Sequence, residues 1–209
     1  MPATSATIGI QMHSGWGVLV AVVSSDKKVE LMERRRISVT DATMPGGNQP
    51  YHHASLRFDR QNLRDAERYL SDCATACERL ATIAIEEAVA GVRGHGYRIA
   101  GAAILQSAGR PLPTLPQILA AHPLIHTAEG EFFSRVARAA CERLQIPVTG
   151  IRRRDLDEQA KATLGRSAVP LQRAVAALGK SVGPPWTADH KNAALAAVIV
   201  SASAILARR

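Results

Sequence analysis

The chain has few aromatic residues, few cysteines and no long hydrophobic run. Aromatic side chains make up 4% of its 209 residues, which leaves little scope for the base stacking that binds single-stranded nucleic acid. The three cysteines, Cys73, Cys77 and Cys141, are an odd number. The first ten residues, MPATSATIGI, lack the basic start and apolar run of a secretory signal. Together these features predict reduced thiols in a cytoplasmic protein.

Three other signatures are also missing. The longest uncharged apolar run, residues 192–207, is shorter than the roughly 20 residues of a membrane span, so we expect a buried core helix and no membrane partner. No HExxH motif and no paired cysteine motif marks a metal site. The segment Gly179-Lys180-Ser181 ends like a phosphate-binding loop, but Ala174 stands where that loop needs a glycine and no strand leads into it.

Basic residues outnumber acidic ones. The chain has 26 Lys and Arg against 18 Asp and Glu, a formal net charge of +8 that favours polyanionic partners. Two basic runs are candidates for contact with the phosphates of DNA or RNA: Arg34, Arg35 and Arg36 in one, and Arg152, Arg153 and Arg154 in the other. A charged strand edge that prevents aggregation explains the first run equally well.

Hydrophobic periodicity predicts strands first and helices later. Strands are predicted over residues 7–23 (one long strand, interrupted at Gly15-Trp16-Gly17), 29–40, 51–58, 97–105 and 146–151. A long amphipathic helix is predicted over residues 63–89, after a possible N-cap at Asp59. Further helices are predicted over residues 115–121, from there to 144, from Asp155 (as a capping box with Glu158) to Gly179 in two pieces, and from the N-cap Thr187 to about residue 206.

This order of elements predicts an α/β protein. An antiparallel meander followed by strand–helix alternation gives a mixed five-stranded sheet flanked by helices. We expect a single domain over residues 1–209, with a helical C-terminal part from about residue 152.

The stretch from Ala121 to Phe133, AHPLIHTAEGEFF, holds the densest set of reactive side chains. If Pro123 lies in the first turn of a helix, His122, His126 and Glu129 fall on one face. Imidazole and carboxylate groups in this arrangement can bind zinc, nickel or iron. Alternatively, one histidine caps or packs while the other is exposed.

Two further groups are candidates for a pocket wall. Gln11 and His13 share one face of the first strand and could reach one pocket together with Trp16. At the start of the last helix, Asp189 and His190 could line a cleft beneath Trp186. Asp189 could instead only compensate the helix dipole.

Two segments carry a resemblance to a known family. The first strand reads Ile8-Gly9-Ile10-Gln11, followed by Ser14-Gly15-Trp16-Gly17, and the last helix begins Asp189-His190-Lys191-Asn192-Ala193-Ala194-Leu195-Ala196. Both segments, and the order of elements, resemble the ribonuclease H-like superfamily, and within it the RuvC family of Holliday-junction resolvases.

The resemblance implies that two divalent metal ions, magnesium or manganese, hydrolyse a phosphodiester. Acidic residues of the first strand, the fourth strand and the last helix would hold them. The chain has Gln11 and Leu105-Gln106-Ser107 at the first two places and a carboxylate, Asp189, only at the third. The catalytic candidates are therefore Glu129, Glu131 and Asp189, the metal-ligand candidates are His126, Glu129 and Asp189, and the proton-transfer candidates are His126 and His190.

Three hypotheses follow. The first is a protein that binds structured DNA or RNA, either as a divergent metal-dependent nuclease or as one that has lost its catalytic carboxylates. The second is a non-catalytic module that forms homo-oligomers through its alanine-rich helices. The third is an actin-like nucleotide-binding domain, which the missing glycine-rich phosphate turn disfavours. A carboxylate cluster around Gln11, Glu129 and Asp189 would favour the first hypothesis, and a large apolar patch the second.

Overall fold

The computed structural model describes residues 5–25, 28–59, 62–106 and 111–206. Its five strands are β1 (Ser5–His13), β2 (Trp16–Ser24), β3 (Val29–Ser38), β4 (Arg98–Gln106) and β5 (Val148–Arg152). They form one sheet in the order β3-β2-β1-β4-β5. The pairs β3–β2 and β2–β1 are antiparallel, and the pairs β1–β4 and β4–β5 are parallel. This is the mixed five-stranded sheet that the sequence predicts.

Seven α-helices flank this sheet in the described part of the chain. They are α1 (Pro50–Arg57), α2 (Arg64–Gly94), α3 (Leu115–Ala120), α4 (His122–Arg143), α5 (Leu156–Leu164), α6 (Ala168–Val182) and α7 (Ala188–Leu206). Short 3-10 turns at Arg153–Asp155 and Gly165–Ser167 precede α5 and α6. None of the helices in the described ranges is long and apolar enough to cross a membrane.

The two faces of the sheet bury different helices, because side chains alternate along each strand. Ile8, Ile10 and Ile104 pack in one core with buried residues of α2 and α4. On the opposite face, Ala103 and Leu105 of β4 and the even-numbered residues of β2 pack against α5, α6 and α7. The result is three layers, with α4 and α7 on opposite sides of the central strands β1 and β4.

Helix α7 lies unusually close to β1. A Cβ atom added to Gly9 would lie 1.8 Å from the carbonyl oxygen of Ala193, so only glycine fits at this point of the strand. The neighbouring α7 residues Ala194, Ala196 and Ala197 are fully buried and small. This close approach brings the first turn of α7 to the end of β1, where Gln11 and His13 lie.

Two strand predictions are wrong. Residues 7–23 form two strands rather than one, because Ser14 and Gly15 make a tight turn in which Gly15 has φ of 78° and His13 pairs with Trp16. Residues 51–58 belong to helix α1, not to a strand. Pro50, in the first turn of that helix, loses no hydrogen bond there because the first N–H groups of a helix have no intrahelical partner.

Several helix ends also differ from their predicted positions. Helix α2 begins at Arg64 after the N-cap residue Leu63, so Asp59 does not cap it. Asp155 precedes α5, but its side chain makes no capping hydrogen bond and pairs with arginines instead. Helix α6 continues through Gly179 to Val182. By contrast, α3, α4 and α7 begin within one residue of the predicted starts, and the Thr187 carbonyl accepts the first hydrogen bond of α7.

Candidate functional site

A cleft of 560 Å³ lies beyond the carboxyl ends of β1 and β4. In α/β sheets this edge is the usual place for a ligand. Residues from the end of β1, the end of β4, the first half of α4 and the turn before α5 line the cleft. Six of them are candidates from the sequence: Gln11, His13, His126, Glu129, Arg153 and Arg154. Glu131, Trp186 and His190 are not among the described residues that line it.

The first polar group beside the cleft is the Asp189 cluster, which we define as Gln11, His13, Asp189 and Asn192. Gln11 Nε2 donates a hydrogen bond to Asp189 Oδ1, and His13 Nε2 lies 3.1 Å from Asp189 Oδ2. A carboxylate can only accept, so His13 presents its Nε2–H to it. Asn192 Nδ2 donates to Gln11 Oε1 at 3.4 Å. The four side chains therefore form a row of hydrogen bonds, in the order His13, Asp189, Gln11 and Asn192, between β1 and α7.

The Asp189 cluster does not fit a pair of divalent metal ions held by carboxylates. N–H donors occupy both oxygens of Asp189, and Gln11 and Asn192 carry no charge. Hard cations such as magnesium need anionic oxygen ligands. At the end of β1, the amide of Gln11 thus stands where the resemblance implies a carboxylate ligand, and it bonds to Asp189 and Asn192 instead.

The second polar group is the Glu129 cluster, which we define as His52, His122, His126 and Glu129. As the sequence spacing predicts, Pro123 lies in the first turn of α4, and His122, His126 and Glu129 follow at helical spacing. Glu129 Oε1 accepts hydrogen bonds from the backbone N–H groups of Tyr51 (2.9 Å) and His52 (3.0 Å). These groups belong to the first turn of α1, so the carboxylate of one helix caps the N-terminus of another.

The imidazoles of the Glu129 cluster converge on its exposed side. His52 Nδ1 lies 3.3 Å from Glu129 Oε1, and His52 Nε2 lies 3.4 Å from His122 Nε2. One ring nitrogen from each of His52, His122 and His126 lies within 4.8 Å of the other two. Desolvation lowers the pKa of His126, and the positive charges of His122 and His52 lower it further. Three imidazoles at this spacing are a ligand set for a transition metal.

Glu129 is an unusual buried acid. It is 3% exposed, and burial raises its pKa to about 7, although the N–H groups of His52 and Tyr51 oppose this shift. Its second oxygen, Oε2, is buried and has no hydrogen-bond partner among the described residues. Buried carboxylate oxygens are nearly always paired, so this one marks a position where a ligand is missing or a proton resides.

The first arginine run is engaged within the protein. Arg34 donates to the backbone carbonyls of Gly183 (2.9 Å), Pro185 (2.7 Å) and Val182 (3.4 Å), which fixes the connection between α6 and α7. Arg35 pairs with Glu87 at 3.0 Å and Glu33 at 3.3 Å. Arg36 stacks over the ring of Trp16 at 4.0 Å. None of the three guanidinium groups lines the cleft of the described structure.

The second arginine run lies at the cleft. Arg153 and Arg154 line it, and Arg152 precedes them at the end of β5. Arg152 and Arg154 pair with Asp155 at 2.6 Å and 3.3 Å. Arg153 is exposed and has no ion-pair partner in the described part of the chain. The two runs look alike in sequence, but only the second presents cations to the cleft.

Trp186 and His190 stabilise the start of α7. Trp186 Nε1 donates to the Val175 carbonyl at 3.0 Å, and its ring packs against Gly179. His190 Nδ1 accepts from the Thr187 backbone N–H at 3.2 Å, as the third residue of a helix does in a capping box. Burial, followed by the charge of Arg34, lowers the pKa of His190. The side chains of Trp186 and His190 thus hold α6 and α7 together behind the cleft.

Sequence reasoning missed His52 as a member of the site. Assigning residues 51–58 to a strand placed His52 on the sheet, away from α4. The signal for a helix was present in the sequence, since Pro50 follows a glycine-rich loop and the buried residues Tyr51 and Ala54 are three positions apart. That spacing would have predicted a helix that brings His52 within reach of another element.

No protein-family model and no curated protein matches the chain. Among solved structures, Thermus thermophilus RuvC in complex with a Holliday junction substrate is similar, with a TM-score of 0.53 and 10% identity over 97% of this chain and 96% of that chain. A second structure of Thermus thermophilus RuvC has the same TM-score and coverage at 11% identity. The yeast mitochondrial Holliday junction resolvase Ydc2 has a TM-score of 0.42 and 13% identity over 97% of this chain and 78% of that chain. The similarity to the two RuvC structures confirms the resemblance at the level of fold: the chain has a ribonuclease H-like fold.

Proposed function

We propose that this protein binds structured nucleic acid in the cleft beyond β1 and β4, without resolvase-type hydrolysis by two metal ions at Asp189. The observation that carries the proposal is the location of Arg153 and Arg154 in that cleft. A similar solved structure of the same fold, a RuvC, contains a Holliday junction substrate. From that structure we infer only the class of ligand, structured nucleic acid, and not a cleavage reaction.

Binding would depend on phosphate contacts. Arg153 is exposed and unpaired among the described residues, so it can meet a phosphate without first breaking an ion pair. Arg154 shares Asp155 with Arg152 and can exchange this partner for a phosphate. Such contacts give affinity that is independent of sequence and falls with salt. The net charge of +8 adds long-range attraction.

The three candidate catalytic acids differ in whether their surroundings leave them free to act in the cleft. Asp189 is held by Gln11 and His13, which argues against a magnesium or manganese pair at this position. Glu131 does not line the cleft in the described structure. Glu129 does line it and keeps one free oxygen, so it is the acid through which we would expect any chemistry of this site to run.

Binding can be tested with a fluorescent four-way DNA junction, measured by anisotropy between 50 and 300 mM salt, with a linear duplex of the same sequence beside it. The double variant Arg153→Ala/Arg154→Ala should bind about tenfold more weakly, and the slope of log affinity against log salt should fall by about two. The matched control is Arg64→Ala/Arg68→Ala, which removes the same charge from the exposed face of α2. Equal losses in the two double variants, or no binding by the wild type, would overturn the proposal.

The same preparation tests the chemistry. In magnesium or manganese, the wild type should bind the junction and leave it uncut. Junction cleavage that disappears in Asp189→Asn would show that Asp189 does hold a catalytic metal, and would reject the proposed absence of two-metal hydrolysis.

The homo-oligomer hypothesis gains no support from a surface patch. The exposed large hydrophobic residues of the described chain lie on three different helices: Leu56, Ile83 and Val169.

A further inference from the structure

We propose that His52, His122 and His126 bind one transition-metal ion of the zinc class, with a coordination position left open to a ligand from the cleft. The ion would lie on the α1–α4 side of the cleft, whereas the resemblance implies metals at Asp189, on the α7 side. The metal site and the Asp189 cluster share no residue. This inference does not depend on nucleic-acid binding.

The three imidazole rings converge on one point. His122 and His126 are four residues apart on α4, so their side chains lie one above the other on the same face. Their ring centroids are 4.4 Å apart, and those of His52 and His126 are 4.8 Å apart. Zn–N bonds of about 2.0–2.1 Å in a tetrahedral site bring two ligand nitrogens to about 3.3 Å. The observed 3.4 Å between His52 Nε2 and His122 Nε2 matches that separation.

Glu129 lies behind the rings, in contact with His52. His52 Nδ1 lies 3.3 Å from Glu129 Oε1, and the same oxygen accepts the His52 backbone N–H. Because a carboxylate only accepts, His52 must carry its proton on Nδ1, which leaves the Nε2 lone pair facing His122. A carboxylate that fixes the tautomer of a histidine in this way is the usual outer partner of a metal ligand. Glu129 therefore acts here as a positioning residue for His52.

The same acid has one unpartnered oxygen among the described residues. Glu129 is 97% buried, its Oε2 has no partner in the described part of the chain, and its side chain borders the cleft that His126 also lines. A hydrogen bond between His52 and His122 would account for the 3.4 Å contact alone. It would leave the approach of His126 and the free oxygen unexplained. A cation held by the three imidazoles accounts for their convergence, and it places a positive charge next to the buried, incompletely paired carboxylate of Glu129.

The chemistry of the ligands selects the metal. Neutral imidazoles suit zinc, cobalt, nickel and copper, whereas magnesium requires carboxylates, phosphates and water. Three protein ligands leave room for a fourth, as in zinc sites that bind water or substrate. Because Arg153 and Arg154 line the same cleft, the fourth ligand we expect is an anionic oxygen, such as that of a phosphate group.

The site can be tested on the full chain without an affinity tag, stripped with EDTA and dialysed. Isothermal titration with zinc chloride should give one ion per chain with micromolar affinity or better, and cobalt(II) should give the intense visible absorption of a tetrahedral site. His122→Ala and His126→Ala, both at exposed positions, should each weaken zinc binding by at least about 100-fold. The matched control is His95→Ala, at an exposed histidine after α2, which should leave zinc binding unchanged.

Glu129→Gln separates a positioning role from a merely structural one. It keeps an oxygen for the N–H groups of α1 but weakens the hydrogen bond to His52 Nδ1, so zinc affinity should fall by about 10- to 100-fold while the cobalt spectrum keeps its form. No zinc binding by the wild type, or equal binding by the wild type and by His122→Ala and His126→Ala, would overturn the metal site. Because no nucleic acid is present, these outcomes are independent of the junction experiment.

Discussion

The two polar clusters beside the cleft differ in how far their hydrogen-bonding groups are satisfied. In the Asp189 cluster, each carboxylate oxygen has a donor, and Gln11 bridges Asp189 and Asn192. In the Glu129 cluster, one carboxylate oxygen is buried without a described partner and three imidazoles face one another. The hydrogen bonds of the Asp189 cluster therefore require no further ligand, whereas the Glu129 cluster is complete only with a ligand or a proton.

This difference shows why position in a fold is a poor guide to chemistry. The Asp189 cluster stands where the family resemblance implies metal ligands, yet its amides make it a structural joint between β1 and α7. The Glu129 cluster joins α1 to α4 at a place that the resemblance does not point to, and there the unsatisfied groups collect. Function has to be argued from the groups themselves, because a fold supports many chemistries.

The largest effect should come from breaking the joint between β1 and α7. Gly9→Ala places a methyl group on the Ala193 backbone carbonyl, which cannot rotate away as a side chain could. We expect a loss of at least about 3 kcal/mol in the free energy of unfolding, measured by urea denaturation. If the variant still folds, α7 and Asp189 should shift from β1 while zinc binding by the Glu129 cluster stays within about twofold of wild type.

The matched control for this variant is Gly94→Ala. An added methyl group at Gly94, at the end of α2, meets nothing within 4 Å, so the substitution should be neutral or stabilise by up to about 1 kcal/mol. Equal stability of Gly9→Ala and Gly94→Ala would show that α7 can move away from β1 without cost. Loss of zinc binding in a folded Gly9→Ala protein would show that the two clusters are coupled rather than independent.

The sequence predicted most of the fold because long periodic patterns dominate it. The apolar stripe of α2, the short apolar run of β4 and the alanine-rich run of α7 all carry a strong signal. The prediction failed where local geometry overrides the pattern. Apolar residues continue on both sides of the turn at Ser14 and Gly15, so their pattern alone could not separate β1 from β2.

The site was less predictable than the fold. Helical spacing correctly placed His122, His126 and Glu129 on α4, because that relation is local. Their partner His52 lies 77 residues before Glu129 in the chain and approaches it only through tertiary packing. In the same way, sequence could not tell that Arg34 anchors a connector while Arg153 lines the cleft, since both stand in runs of three arginines. Contacts between distant segments decide the role of each side chain.

The next largest effect on stability should come from removing the two acids, Glu129 and Asp189, one at a time. Glu129→Ala leaves the buried N–H groups at the start of α1 without an acceptor and opens a void, so we expect a loss of about 2 kcal/mol. Asp189→Ala removes a partly exposed carboxylate whose partners water can reach from the cleft, and should cost about 1 kcal/mol. Both are measured by urea denaturation in EDTA, which removes any bound metal. A larger loss of unfolding free energy in Asp189→Ala than in Glu129→Ala would mean that the Asp189 carboxylate contributes more to stability than the Glu129 carboxylate.

The smallest effect concerns pH and the cap of α7. Burial lowers the pKa of His190, so below its ordinary value of 6.5 the unfolded chain takes up a proton that the folded chain refuses. The stability linked to His190 is therefore fully present above that value and is lost as pH falls through the lower pKa of the folded state. His190→Gln keeps an acceptor for the Thr187 N–H but does not titrate. Urea denaturation of both proteins between pH 7.5 and 5 should show the wild type losing its advantage as the solution becomes acidic. Parallel curves would mean that His190 takes up its proton equally readily in the folded and the unfolded chain, so that the start of α7 does not depend on a neutral imidazole at this position.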